Sequence, residues 1–524
     1  MTDTLPSAAA RPASAENALP RRATPEGKSV RFRTERDYAE LTPVHVVWEV
    51  TLACNLKCQH CGSRAGRPRP DELNPAEALE LIDHLAALGT RELTLIGGEA
   101  YLRRDWIELI RRSRSHGIRT AVQTGARNLT DKRLDEAAEA GLQGIGVSID
   151  GLPDLHDRVR GVPGSYDQAI SALKRAKARG LAVSVNTQIG AETAAHLPEL
   201  MERIIEAGAT HWQIQLTVAM GNAVDNPDLL LQPYQLLDVM PLLARLYREG
   251  LERGLLMIVG NNVGYFGPYE RMWRGLGDEA DHWNGCAAGQ GGIGIEADGT
   301  IKGCPSLATS LYAAGNVREM NIADIWRYSE KMAFGRVRDV EELYDYCRTC
   351  YYADVCRAGC TWTSESLLGK RGNNPYCHHR VLDLARHGWR ERVTKVKDAP
   401  AASFAIGEFA LVREPIPGAQ TVPMPVRDPA KVHVPHRERT AAGGALPPKL
   451  KVCRSCDQYV WPHETECPHC AADLAEVERQ HAEASERRRA LIEQAQRFLE
   501  SVQGRPAPVE DRSYAAELKP SPHP

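Results

Sequence analysis

The fourteen cysteines of this 524-residue chain fall into three groups, and the grouping limits what the chain can become. The first is Cys54-x3-Cys58-x2-Cys61, inside WEVTLACNLKCQHC. The second is Cys286-x12-Gly299-x4-Cys304, followed by Cys347-x2-Cys350-x5-Cys356-x3-Cys360-x16-Cys377. The third is Cys453-x2-Cys456-x10-Cys467-x2-Cys470. No stretch resembles a secretory signal, which predicts a cytoplasmic, reducing setting where such pairs bind metal rather than form disulfides. Three thiolates as close as the first group can hold three irons of a cubane 4Fe–4S cluster and leave the fourth iron open. A zinc or purely structural site is the alternative that spacing alone leaves standing.

Between the cysteines the pattern is α/β. Apolar runs at 44–51, 92–96, 119–124, 144–150, 181–189 and 211–218 read as strands. Helix punctuation separates them: Asn74-Pro75-x-Glu77 and Gly89, Thr130 and Gly141, Ser165-x-x-Gln168 and Gly180. Strands alternating with helices predict parallel βα units, here a partial (β/α)6 barrel with its chemistry on loops at the strand C-termini. The first cysteine group follows the first strand and falls on that face.

The expected organisation is a disordered segment over 1–44, the barrel over 45–219, a bridging region over 220–285 and a cysteine-rich domain over 286–397. A Pro-rich linker over 398–449 holds nine prolines. A small cysteine module over 450–473, a charged helix over 474–503 and a tail over 504–524 follow. The net charge of −3 gives no reason to expect nucleic acid, and no apolar run reaches the ~20 residues that span a bilayer.

The first cysteine run resembles the signature of the radical S-adenosylmethionine (radical SAM) enzymes. Further resemblances follow in chain order: Gly97-Gly98-Glu99, like the family's GGE motif; Gln123-Thr124-Gly125, a departure from QTNG; Ser148-Ile149-Asp150-Gly151; His156-Asp157-x-x-Arg160-Gly161; and Asn186 on the fifth strand. The resemblance implies that Cys54, Cys58 and Cys61 hold the catalytic cluster. It implies that Gly97, Gly98 and Glu99 meet the amino group of S-adenosylmethionine, and that Ser148, Asp150 and Asn186 lie near its ribose. Arg160 is a candidate for the cofactor carboxylate or for substrate. Reductive cleavage of the cofactor to a 5′-deoxyadenosyl radical and hydrogen abstraction from substrate would follow. Flavodoxin or ferredoxin would be the reductant.

The second cysteine group resembles the SPASM domain, which carries auxiliary 4Fe–4S clusters in enzymes that modify peptides and proteins. By that pattern Cys347, Cys350, Cys356 and Cys377 hold an outer auxiliary cluster, and Cys286, Cys304 and Cys360 an inner one. Seven cysteines leave one inner iron without a thiolate; His282 and Asp278 are near in sequence. The third group has the spacing of a four-cysteine zinc ribbon, which staples a short segment or binds a partner, with Arg487, Arg488 and Arg489 on the helix behind it.

A peptide or protein substrate is the leading expectation, modified oxidatively by a crosslink or similar, in the manner of RiPP (ribosomally made peptide) biosynthesis. Residues 1–44 are short for a leader-binding domain, so a separate recognition protein is expected. Pro305 stands where sulfatase-maturating enzymes place an acid. A small-molecule oxidoreductase or tetrapyrrole-modifying enzyme is the alternative. An electron carrier or zinc adaptor would need no cofactor motifs, which argues against it. Trp212, Tyr265, Tyr269 and Trp273 read more readily as core than as pocket.

Overall fold

Seven strands run parallel in chain order and form the wall on which the first cysteine group sits. They are β1 (His45–Glu49), β2 (Glu92–Ile96), β3 (Arg119–Thr124), β4 (Gly144–Ser148), β5 (Ala182–Ile189), β6 (His211–Leu216) and β7 (Leu256–Val259). Each pairs with the next. This is a computed structural model describing residues 29–274, 282–337, 340–424 and 450–503. Beyond β1 the sheet continues through β8 (Gly292–Ile295), parallel to β1, then β9 (Thr300–Lys302) and β10 (Gly315–Asn316), both antiparallel. The order is β10-β9-β8-β1-β2-β3-β4-β5-β6-β7, so the sheet is open, a partial barrel.

The helices cover the outer face because their apolar residues recur at helical spacing. Helix Pro75–Ala87 buries Ala78, Leu81, Ile82 and Leu85, one stripe at i, i+3, i+4 and i+7. Asn74 caps it, accepting from the backbone N–H groups of Ala76 and Glu77, while the Glu77 carboxylate accepts from Asn74 N. Helix Ser165–Ala178 departs from the expected Ser165 cap. Its N-cap is Gly164, and Asp157, from the preceding helix Pro153–Arg160, accepts from Gly164 N, Tyr166 N and the Ser165 hydroxyl.

Three boundaries differ from the sequence expectation. Within 1–44, the described residues 29–44 pack on the sheet: helix Glu35–Ala39 is capped by Thr34, Asp37 accepts from Arg91, and Arg31 donates to Glu92. Residues 220–285 do more than bridge, since they supply β7; Asp278 lies outside the described residues. The linker expected over 398–449 begins instead as β-structure, because β12 (Glu408–Pro415) pairs antiparallel with β11 (Trp389–Lys397). Apolar side chains decide this: Phe404, just ahead of β12, packs with Met220 and Ala308. Residues 425–449 and 504–524 lie outside the described residues.

The chain divides into two compact units, the first ending at Lys449 and the second beginning at Leu450. The first holds the barrel together with the second cysteine group, whose β8–β10 extend the barrel sheet. The second holds the hairpin of β13 (Lys451–Val452) and β14 (Tyr459–Val460), the third cysteine group and a 30-residue helix, Leu474–Gln503. No helix among the described residues is long and apolar enough to cross a membrane.

Candidate active site

The loop after β1 carries Cys54, Cys58 and Cys61 and is clamped from three directions. Lys57 N and Gln59 N donate to the carbonyls of Arg160 and Val159, at the end of helix Pro153–Arg160. Asn222 donates through Nδ2 to Cys58 O at 2.9 Å, and its own N–H to Cys61 O at 3.0 Å. Phe404 N donates to Gly62 O at 3.0 Å.

The GGE segment holds the same loop from below. Gly98 N donates to Thr51 O and Glu99 N to Ala53 O, both at 2.8 Å. A Cβ on Gly98 would lie 2.2 Å from Ala53 O, and one on Gly97 2.2 Å from Thr51 O. The glycines therefore admit the cysteine loop's own backbone. The Glu99 side chain turns to β3, accepting from the Thr124 hydroxyl and from Gly125 N at 2.7 Å. Burial pushes its carboxyl up to about 7.

Arg160 lies over the loop. Its Nη1 is 3.8 Å from Cys58 Sγ, and its Nε and Nη2 donate to Asp150 Oδ2 at 2.8 and 2.6 Å. His60 Nε2 reaches the same oxygen at 2.8 Å, and Gln188 N donates to Asp150 Oδ1 at 2.9 Å. Although fully buried, Asp150 is held well below the usual carboxylate range by Arg160 and His60. It stands behind these two residues, outside the lining of the cavity they face. His60 is the residue that sequence reading passed over; its place between Cys58 and Cys61 was the available signal.

A cavity of about 400 Å³ opens beside the loop. Cys54, Cys58, Cys61, Gly97, Gly98, Glu99, Ser148, Arg160 and Asn186 all line it, as do Pro305 and Ser306 next to Cys304. Gln123 reaches across β4 to accept from Asn186 Nδ2. Glycine at 146 makes this possible, since a Cβ there would lie 1.9 Å from Gln123 Oε1. Asn186 Oδ1 and His60 Nδ1 are buried without a hydrogen-bond partner. Buried polar atoms are rarely left so, and here both belong to residues lining the cavity. They fit a ligand carrying hydroxyl and amine donors, as a nucleoside does. Trp212 is core instead, fully buried with its indole N–H on Thr187.

Burial pushes the Cys54 thiol up to about 12 and Cys58 to about 11, with Arg160 pulling Cys58 down. Such thiols ionise when a metal takes the sulfur. The second cysteine group divides in space. Burial raises Cys360 to about 12, and the Cys286 and Cys304 thiols add to the rise; burial also raises Cys356, and there it is Cys377, Cys347 and Cys350 that add to it. Tyr265 stands between the two sets, its hydroxyl accepting from Cys360 N at 2.9 Å and its carbonyl 3.7 Å from Cys377 Sγ. His282 packs against Phe266, which stacks on Tyr352.

The third cysteine group differs in scale. The sulfurs of Cys453, Cys456, Cys467 and Cys470 all lie within 4.8 Å of one another, with Cys453–Cys470 at 3.8 Å and Cys456–Cys467 at 3.7 Å. One tetrahedral ion with thiolates at about 2.3 Å sets its sulfurs roughly 3.8 Å apart. Among the described residues no other His, Cys, Asp and Glu group is close enough for a single ion.

Comparison with known proteins agrees with this geometry. The Radical SAM superfamily profile matches residues 48–204, and the SPASM profile, an iron–sulfur cluster-binding domain, matches 286–351. An AdoMet-dependent heme synthase of Oleidesulfovibrio alaskensis is 28% identical over 357 residues, covering 64% of this chain and 87% of its own. A PqqA peptide cyclase of Ruegeria pomeroyi is 28% identical over 351 residues, covering 65% and 90%. The fold is similar to that of SuiB from Streptococcus suis, with a TM-score of 0.51 and 19% identity over 64% of this chain and 76% of that one. The chain is thus a radical SAM enzyme with a SPASM iron–sulfur domain. These domains imply 4Fe–4S clusters and S-adenosylmethionine.

Proposed function

We propose that the enzyme modifies a peptide or protein oxidatively, abstracting a hydrogen from a side chain presented to the cavity beside Cys54, Cys58 and Cys61. The observation that carries this reading is the lining of that cavity. A volume of about 400 Å³ lies near the lower end for a site taking one drug-sized ligand, and S-adenosylmethionine must share it. A substrate therefore enters only in part, as one residue and the peptide groups beside it. The lining is amide and hydroxyl rich, and its two arginines are engaged, Arg31 with Glu92 and Arg160 with Asp150. A tetrapyrrole carries several carboxylates and calls for free cations. The second reading, a tetrapyrrole-modifying step, is supported by the heme synthase relative.

In this proposal Cys54, Cys58 and Cys61 hold the catalytic cluster, and Cys286, Cys304, Cys360 and Cys347, Cys350, Cys356, Cys377 hold two auxiliary ones. When bound, the clusters supply the electron that breaks the cofactor C–S bond and a sink for the electron left on substrate. The chain's own groups do the rest. Gly97 and Gly98 fit the cysteine loop to the sheet. Asn186 Oδ1 offers an acceptor to a ribose hydroxyl, with Ser148 alongside. Arg160, its Nε and Nη2 taken by Asp150, is held over Cys58 with only Nη1 left for the cofactor's carboxylate. An ammonium beside Glu99 would restore the charge that burial suppresses. Cys453, Cys456, Cys467 and Cys470 would hold Zn²⁺, since the unit's small core of Val460 and Leu474 cannot fold it alone. A flavodoxin- or ferredoxin-type reductant and a separate leader-recognition protein complete the system.

The test is anaerobic turnover of the reconstituted chain with dithionite, S-adenosylmethionine and peptides encoded beside its gene, read by mass spectrometry. A mass loss of two hydrogens, matched by 5′-deoxyadenosine, is expected. Turnover of coproporphyrin III with no peptide changed would favour the second reading.

A further inference from the structure

Three glutamines project into the cavity from two neighbouring strands with nothing to hold. The inward positions of β5 and β6 are in register: Asn186 pairs with Gln213, and Gln188 with Gln215. All four line the cavity. Asn186 is engaged by Gln123, whereas the side-chain amides of Gln188, Gln213 and Gln215 make no hydrogen bond among the described residues. Their backbones are fixed, by the ladder and, for Gln188, by its N–H on Asp150.

Each carboxamide carries two donor hydrogens and an acceptor oxygen. A ligand that leaves such a group dry and unpaired binds more weakly for each one it strands. Hydrocarbon does so, and a carboxylate uses only the donors. In an extended backbone the N–H and C=O of one residue, from the two peptide groups that flank it, point to the same side and together offer one donor and one acceptor, which is the complement of a carboxamide. The rigid spacing of paired strand positions suits a second extended backbone, whose groups repeat at similar intervals.

We propose that Gln188, Gln213 and Gln215 form the substrate subsite and bind peptide groups flanking the residue that loses hydrogen. This rests on the peptide reading above and narrows it to backbone recognition. A side-chain amide offers the same chemistry, so the test separates the two sources.

The reconstituted full chain, loaded with S-adenosylmethionine, is titrated by equilibrium dialysis with three probes: a capped tetra-alanine (N-acetyl, C-terminal N-methylamide), the same peptide with one central asparagine, and coproporphyrin III. The capped tetra-alanine is expected to bind, and Gln213→Leu with Gln215→Leu is expected to weaken it at least tenfold. The cofactor affinity, read in parallel, is expected to change less than twofold, which also reports that the variant folds. Should the leucine variant lose the cofactor as well, Gln213→Glu with Gln215→Glu, which keeps size and removes the amide donors, is read instead with the same expectation. Peptide binding equal in wild type and variants would overturn the subsite while leaving the peptide reading intact. Binding of the asparagine peptide alone would overturn backbone recognition. Binding of coproporphyrin III with neither peptide bound, or no binding by any probe, would overturn the subsite; the first of these would overturn the peptide reading with it.

Discussion

Arg160 and Asp150 form a buried ion pair, Nη2 to Oδ2 at 2.6 Å, that suspends a guanidinium 3.8 Å from the Cys58 sulfur. Both groups are almost wholly removed from water, and His60 shares the same carboxylate oxygen. Removing one partner of such a pair strands the other charge at a cost of about 3–5 kcal/mol. Asp150→Asn is therefore expected to lower the unfolding midpoint by several degrees. It is also expected to shift the electron paramagnetic resonance spectrum of the catalytic cluster, because the arginine beside Cys58 loses its anchor. A variant with wild-type stability and spectrum would contradict this role.

Gly98 is placed by the approach of Ala53, and Gly98→Ala would drive a methyl into that carbonyl. The clash is with backbone, which cannot step aside as a side chain can. The expected outcome is failure to assemble the catalytic cluster, with a loss of about four irons per chain. Full iron content in this variant would refute the close packing.

Gly146 and Gln123 act as a pair. Gly146→Ala is expected to push Gln123 off Asn186, and Gln123→Ala to remove the contact directly. Each should weaken cofactor binding about tenfold, roughly 1.4 kcal/mol. The double variant should be no worse than either single one, since both changes break the same contact. Additive losses in the cycle would show that the two act separately.

Cys453→Ser is expected to release one zinc per chain and to unfold the unit that begins at Leu450. Iron should stay at its wild-type level, because the other ten cysteines are untouched. Elemental analysis of wild type and variant decides it, and loss of iron would show that the four sulfurs serve a cluster.

Glu49, at the end of β1, is pushed by burial to about 7 from its ordinary 4.5, with Glu296 adding to the push and Arg69 opposing it. The folded chain therefore keeps a proton that the unfolded chain loses between these values. Stability contributed by that proton is present at low pH, declines as pH rises from about 4.5 to about 7, and is level above that. Glu49→Gln should flatten this part of the profile of midpoint against pH; an unchanged slope would assign it to another group.

Much of this was legible along the chain. Strands β1 to β6 stand out as short apolar runs, with alternate positions buried in β3, β5 and β6 and nearly every position in β2 and β4, and the cysteine spacings expose their ligand sets because metal chemistry demands short loops. The helix starts at Asn74 and Thr130 are local and were readable. The start at Ser165 was not, because Asp157 reaches over from another helix. Residues 29–44 look too polar to order, yet Arg31 and Arg91 find Glu92 and Asp37 only once the sheet exists. His60 and Gln123 carried too little signal alone.

The sequence by itself determined the cysteine groups, the βα alternation and the enzyme class, since each rests on residues close in the chain. Tertiary structure alone decided that Asp150 holds Arg160, that Gly97 and Gly98 admit a neighbouring backbone, and that three glutamines face one cavity. Those relations depend on strand register and on contacts between residues far apart in the chain, which exist only once the sheet has formed.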